Sequence, residues 1–496
     1  MIRIPADFMT VQTFFYKYRN PLILGGLAGT LISLDAFMAS YLHLMHFSDL
    51  FPPYLLSFVI FSLGIGFIIG IIVTVNNLAR IWQKKEAVFA IVLIISSQVK
   101  GLTSIGFLDF SDLVIFIFLI ILLVENFNNL QYKIIVTPLF VLTLILIFAI
   151  VLSYTNEVSA TKSSIVSLIG PIKSLLTILL ILNLIRGKKD ALFSLKAFII
   201  VTLFSGIIGA AESLLYLFTG IGFHTNKFDF EHTPFGLFLR SQAFFGHIHG
   251  LAATLTLALA ILFFILLAHR INIFWKKRTV MLLFVITFIA LVFTFYKASL
   301  IAFGLIFIIG IFIRKPSYFI HITMGLLLII ILVYLSGLGD YVVESISRQL
   351  YTGDFKSRLE LDKAGIEGFL HEHPIVGAGM GNNRIYTPHP SAWPAHNAFI
   401  QVADEIGVIG LISYCLIYVY LFYRLIITNF LLKDKKDRII IQSLLLSLIA
   451  FFTIAQFEPL AYNFWFWMYF GLLECIAYNL MEAQYAQRPL IERSYA

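Results

Sequence analysis

Residues 433–455 read KDKKDRIIIQSLLLSLIAFFTIA, a charged joint from Lys433 to Arg438 that opens directly into an apolar run beginning at Ile439. As a helix, an apolar run of about 20 residues crosses roughly 30 Å of hydrocarbon. A strand of a membrane barrel would alternate apolar and polar side chains, and this run does not. Working outward, the same unit recurs along the chain. Apolar runs begin near residues 21, 54, 87, 110, 134, 164, 191, 248, 279, 298, 317, 404, 439 and 460, which predicts about fourteen spans. Composition agrees: of 496 residues 60% are hydrophobic and 12% charged, with a mean hydropathy of +0.93. Soluble domains are roughly half apolar and a quarter charged. The expected fold is therefore an all-α polytopic membrane protein.

The net charge of +8 is explained by where the cations lie. They gather in alternate joints, at Arg80 to Lys85, Glu125 to Lys133, Arg186 to Lys189, Arg270 to Arg278, Arg314-Lys315 and Lys433 to Arg438. Cytoplasmic loops carry the excess of Lys and Arg, so these joints and both termini are expected inside. The basic balance thus reports topology, and no nucleic-acid partner is implied. Arg3, Lys17 and Arg19 precede the first run at Pro21, and with no small-residue cleavage site after it that run reads as a retained span. Cys415 and Cys475 both fall inside apolar runs, where they read as small core residues and not as a disulfide.

The joints expected outside are short and nearly free of cations, with two exceptions. One runs from Thr219 to His249. The other runs from Gly337 to about Ala403 and holds Arg348, Arg358, Arg384 and seven carboxylates. A segment this polar cannot lie in lipid. The division expected is residues 1–336 as transmembrane helices 1 to 11 with an outer loop near 219–249, residues 337–403 as a periplasmic cap, and residues 404–496 as helices 12 to 14 with a cytoplasmic tail.

Four polar sets are placed on the outer face by this topology. They are Arg240 with His247 and His249, Lys297 in Thr294-Phe-Tyr-Lys-Ala-Ser, Ser357-Arg358, and His396-Asn397. A cation between two apolar runs is costly unless it is paired or lines a wet cavity, which singles out Lys297; the alternative is a lysine snorkelling to the interface. Lys173 and Glu212, both inside apolar runs, invite the same question and could pair with each other. Arg240, Lys297 and Arg358 together form a set of cations able to hold a diphosphate. His396 follows Trp393-Pro394-Ala395, with Asn397 a good helix-capping side chain. A histidine at a helix start is disfavoured as a cation, so a neutral imidazole there suits a general base; the plainer reading is a capping or hydrogen-bonded histidine. Arg384, His371, His373 and His389 read as solvated. The glycine run Gly377-Ala-Gly379-Met-Gly381 follows no strand and lacks a nucleotide-loop lysine, so it reads as a backbone turn. No Asp-x-Asp clamp for a metal is present, and no cofactor is expected.

Four of these pieces resemble the O-antigen ligase and O-antigen polymerase superfamily. His396-Asn397, nine residues, Gly407, two residues and Gly410 are similar to the family's histidine motif, and Glu405 fits it. His373-Pro374 through Gly381-Asn382 resembles its glycine-rich segment, Ser357-Arg358-Leu359 its Ser-Gly-Arg start, and Arg240 with Phe245-Gly-His247 its Arg-to-His segment. The sequence departs from the pattern in two places: Tyr296-Lys297 replaces Ser-Arg, and His247-Ile-His249 lacks the proline. The resemblance implies a C-type glycosyltransferase-like architecture, an undecaprenyl-diphosphate-linked glycan donor, a glycan or glycolipid acceptor, and metal-independent transfer on the outer face of the bacterial inner membrane. Arg240, Lys297 and Arg358 would hold the diphosphate and His396 would act on the acceptor hydroxyl, with Asn397, Glu405, His247, His249 and Lys173 in support. A repeat-unit polymerase working with a chain-length regulator is the first reading. A ligase acting on lipid A core comes second, and a protein O-oligosaccharyltransferase third. A transporter would place its polar groups near the midplane, commonly with repeats, whereas here they gather at one face.

The topology has a direct check. A cysteine introduced at Thr387 should react with an impermeant thiol reagent in intact spheroplasts, while one at Lys435 should react only after lysis. The reverse pattern would invert the orientation.

Overall fold

The structure, a computed structural model, describes residues 85–98, 110–128, 134–156, 163–219, 230–233, 236–245, 248–268, 272–314, 354–371, 373–381 and 395–486, with a few isolated positions between 316 and 334. The chain divides into two compact units, Met1–Val88 with Gly101–Ile105, and Phe89–Lys100 with Gly106–Ala496. All that follows concerns the second. The expected spans near residues 21 and 54, and most of the one near 317, lie outside the described residues.

The helices are α1 (Lys85–Gln98), α2 (Phe110–Asn128), α3 (Pro138–Ser153), α4 (Ser163–Leu184), α5 (Lys188–Thr219), α6 (Ile248–Leu267), α7 (Lys277–Phe293), α8 (Lys297–Arg314), α9 (Asp354–His371), α10 (Ala398–Leu431), α11 (Lys435–Ala455) and α12 (Phe464–Ala486). One antiparallel hairpin, β1 (Phe230–Thr233) with β2 (Gly236–Leu239), precedes α6 and pairs Phe230 with Leu239 and Glu231 with Phe238. Among the described residues six helices are long and apolar enough to cross a membrane. They expose large apolar side chains: Phe148, Phe312, Val419 and Phe430 are each at least 60% accessible. Such a surface suits lipid and would be a liability in water. The chain is a helical membrane protein.

α6 is the central helix, with 89% of its span buried, and it packs against α5, α7, α8 and α11. Ala252, Ala253, Thr254, Thr256, Ala258 and Ala260 make much of its length small. In lipid, where association rests on close packing and not on escape from water, small residues let neighbouring backbones approach. A second centre is aromatic and ties α10, α11 and α12 together. Phe451 and Phe466 lie 4.3 Å apart, Phe466 and Phe470 4.3 Å, and Tyr418 meets Phe470 edge-on at 5.4 Å. At the basic end, Lys188 pairs with Asp437 at 2.6 Å and Asn479 accepts from the Gly187 amide.

α10 begins at Ala398, inside the stretch expected as cap, and breaks at Gly407, whose φ of 72° and ψ of −169° are not helical. The break frees backbone groups, and the glycine segment 373–381 takes them up. Val408 donates to the Pro374 carbonyl at 2.9 Å, Ala378 to Asp404 at 2.9 Å and Gly379 to Glu405 at 3.0 Å. The two backbones touch directly. A Cβ on Gly407 would sit 2.4 Å from the Ile375 oxygen, and one on Gly377, itself at φ +75°, would sit 2.4 Å from the Glu405 carbonyl. The glycine run is thus a turn clamped onto a membrane helix.

Gly407→Ala and Gly377→Ala add a methyl to occupied space at a left-handed residue, so each should lower stability in detergent by at least roughly 2 kcal/mol. Gly304→Ala, which meets nothing within 4 Å, should be neutral or stabilise by at most about 1 kcal/mol. Thermal unfolding of the three variants would check this; equal melting temperatures would remove the clamp.

Candidate functional site

The hairpin ends at Leu239, and Arg240 follows. Its Nε donates to the Thr294 carbonyl and its Nη2 to the Phe295 carbonyl, both at 3.3 Å, while the Ser241 amide donates to Phe293 at 3.1 Å. These are carbonyls left over where α7 ends, a natural place for a cation. The turn they hold is strained: Phe295 has φ 50°, and Ala243, just after Arg240, has φ 47°. Left-handed non-glycine residues persist where the surroundings over-determine them, and here Arg240 is part of those surroundings.

The turn presents Tyr296 inward. Its ring meets the His249 imidazole edge-on at 4.9 Å, and its hydroxyl lies against the carboxylate of Glu458. Glu458 sits in the turn between α11 and α12 and is 2% exposed. His249 Nδ1 approaches its Oε1 at 3.2 Å and Arg358 Nη1 at 3.8 Å. Burial pushes the Glu458 carboxyl up to about 7, against the opposing pull of Tyr296, Arg358 and Arg240. Burial raises the Tyr296 phenol as well, with Glu458 adding to it.

His396 enters from the other side. It is buried, and its amide donates to Asp362 Oδ1 at 2.8 Å. Asp362 stands one turn after Arg358 on α9, and burial raises its carboxyl while the His396 amide and Arg358 pull it down. Asn397 caps α10 as its residue type suggests, accepting from Phe399 at 2.8 Å and Ile400 at 3.3 Å. Its amide nitrogen reaches Gln456 Oε1 at 3.3 Å, tying the start of α10 to the turn that carries Glu458.

The structure therefore brings Arg240, His249, Arg358 and His396-Asn397 around one joint. Lys297 stands at its rim, 47% exposed and paired with Glu231 of β1 at 3.4 Å. Lys173 pairs with Asp112 at 2.9 Å and lies over the Phe464 ring, contacts that satisfy it without a substrate. Glu405 is fully buried and faces Gln401, Tyr462 and the Gly381 amide, so it belongs to the clamp on α10. His247, Arg384, His389 and the Ser357 side chain lie outside what is described. Glu458 was not anticipated. The signal was present: Gln456-Phe-Glu458-Pro459 interrupts two apolar runs just as Lys297 does, but a search for cations passes over it.

Glu458 makes stability depend on pH. Its folded value of about 7 exceeds the ordinary 4.5, so the folded chain binds more protons between those limits. The stabilisation is full below about pH 4.5 and is lost as pH rises through about 7, by roughly 3 kcal/mol at most. Melting temperatures in detergent from pH 5 to 8 should fall for the parent relative to Glu458→Gln; parallel curves would show that the carboxyl titrates normally.

Residues 282–415 match the family model described as O-Antigen ligase. The matched stretch holds Lys297, Arg358, His396, Asn397, Glu405 and Gly407, and leaves Arg240, His249 and Glu458 outside. Comparison with curated proteins found no match. The match and the site share Arg358, His396 and Asn397, and over residues 282–415 this membrane protein is similar to the O-antigen ligase and O-antigen polymerase superfamily.

Proposed function

We propose that this protein is a glycosyltransferase of that superfamily that polymerises undecaprenyl-diphosphate-linked repeat units on the periplasmic face of the inner membrane. The observation that carries the reading is the convergence of Arg240 and Arg358 on the joint at Tyr296 and Glu458, with His396 held beside Arg358 through Asp362. Two guanidiniums at a partly buried site are suited to a diphosphate, which they can bind through paired donors. Lys297 adds charge at the rim, where a longer substrate would pass.

In this reading the acceptor hydroxyl attacks the anomeric carbon of the donor glycan. The bond from that carbon to the diphosphate breaks, the hydroxyl proton passes to His396, and undecaprenyl diphosphate leaves. Arg240 and Arg358 meet the charge that grows on the leaving group. His396 enters at the start of α10, where the helix dipole favours the neutral, basic imidazole. α9, which carries Arg358 and Asp362, would help shield the reacting groups from water. The reaction is read as needing no metal. A ligase that delivers glycan to a lipid A core is the second reading, favoured by the description of the matched family.

Purified protein with lipid-linked donor tests the assignment. Arg240→Ala and Arg358→Ala should each cut turnover by about ten-fold or more, as losing one charge-stabilising donor does; Lys297→Ala should do the same unless that lysine serves only Glu231. His396→Ala should lose roughly a hundred- to ten-thousand-fold in turnover while still binding donor. His396→Gln should be nearly as poor, and activity should survive excess EDTA. Normal turnover by His396→Ala would overturn the proposed chemistry, and elongation of lipid-linked glycan in the absence of lipid A core would separate polymerase from ligase.

A further inference from the structure

Glu458 lies beyond the matched stretch, and nothing in the transfer step described above needs a carboxylate there. Burying one is costly unless it is paired and hydrogen-bonded. Groups from four elements face it: His249 from α6, Tyr296 from the turn between α7 and α8, Arg358 from α9, and Arg240 from the end of β2. A structural ion pair would be closed, with contacts of about 2.7–2.9 Å. Here His249 and Arg358 both point at the same oxygen but stand off at 3.2 and 3.8 Å, while the Tyr296 hydroxyl lies against the carboxylate. A buried carboxylate whose cations stand off in this way is weak as a stabilising pair and asks for a reason beyond stability.

The reason lies in which cations these are. Arg240 and Arg358 are the two assigned to the diphosphate, so Glu458 and the substrate are anions directed to the same donors. We propose that Glu458 is a positioning residue that stands in for the diphosphate, aiming Arg358 and His249 at one point while the site is empty and taking up a proton when the diphosphate arrives. This inference rests on the diphosphate reading given above. The step is a proton equilibrium: one proton from solvent joins the carboxylate as the diphosphate binds, and it returns to solvent when undecaprenyl diphosphate departs. Protonation frees Arg358 for the phosphates and converts Glu458 from a competing anion into an O–H donor. A nearby anion disfavours the ionised carboxylate, and a group already shifted to about 7 by burial needs only a small further push near neutral pH.

Calorimetry of inorganic pyrophosphate binding to the full chain in detergent, in two buffers of different ionisation enthalpy near pH 7.5, reads the proton directly. The parent should take up roughly half to three-quarters of a proton per site more than Glu458→Gln. Between about pH 7 and pH 8 its Kd should rise up to ten-fold relative to that variant, since one proton per site corresponds to a factor of ten per unit. Ionisation of pyrophosphate itself is common to both proteins and cancels. Glu458→Asp, which keeps a carboxylate, should retain the uptake. Independent of any variant, infrared difference spectra of the parent should gain a protonated-carboxyl C=O band on binding. Equal proton uptake by parent and Glu458→Gln, or no new band, overturns the role of Glu458 and leaves the clamp standing. Failure of the parent to bind pyrophosphate, or equal binding by Arg358→Ala, overturns the diphosphate reading itself.

Discussion

A helix that breaks inside or beside a membrane must find new partners for the amides and carbonyls it releases, because lipid offers none. α10 meets this constraint at Gly407, and the arrangement of the site depends on how it does so. The freed groups are taken by the main chain of residues 373–381, and only glycine allows the two backbones so close at Gly377 and Gly407. Fixing that segment fixes the end of α9, which runs directly into it. α9 carries Arg358 and Asp362, and Asp362 holds the amide of His396. The break in α10 thus sets the relation between His396 and Arg358, although it touches neither side chain.

The remaining members are set from the opposite direction. Arg240 spends two of its donors on the end of α7, which places Tyr296 against Glu458. Gln456 joins the same turn to Asn397. The aromatic cluster of Tyr418, Phe451, Phe466 and Phe470 holds α10, α11 and α12 beneath that joint. Rings with few rotamers, packed edge-on, resist the small displacements that would open contacts of this kind.

Among the described residues the helices were legible where an apolar run supplied the signal: α4, α5, α6, α7 and α8 begin within a few residues of the runs that predict them. α9 was not, because its residues are largely polar and no apolar run marks it. The start of α10 was displaced toward its C-terminus because Asp404-Glu405 and Gly407 look like the edge of a span, whereas the helix already runs from Ala398. Among site residues, Arg240, Arg358 and His396 could be named from charge, topology and resemblance. Their mutual geometry could not, since it passes through Asp362 and Tyr296, which carry no signal of their own. The partners of Lys173 and Lys297 lie at Asp112 and Glu231, more than sixty residues away in each case, and no local pattern announces such pairs. Glu458 was missed for a different reason: an acid between two apolar runs deserves the same suspicion as a base.

The placement of Glu458 also orders events during synthesis. Chains are made from the N-terminus, so Arg240, Tyr296, Arg358 and His396 are all synthesised before the turn at 456–463 exists. Until α11 is threaded and that turn forms, the guanidiniums have no common acid to converge on, and Asn397 has no Gln456. Two cations left near each other without it repel. On this order the carboxylate reaches the two guanidiniums last, with the same turn that leads into α12 and its packing on α4 and α5, and a nascent chain halted before that point would hold Arg240 and Arg358 without the acid between them.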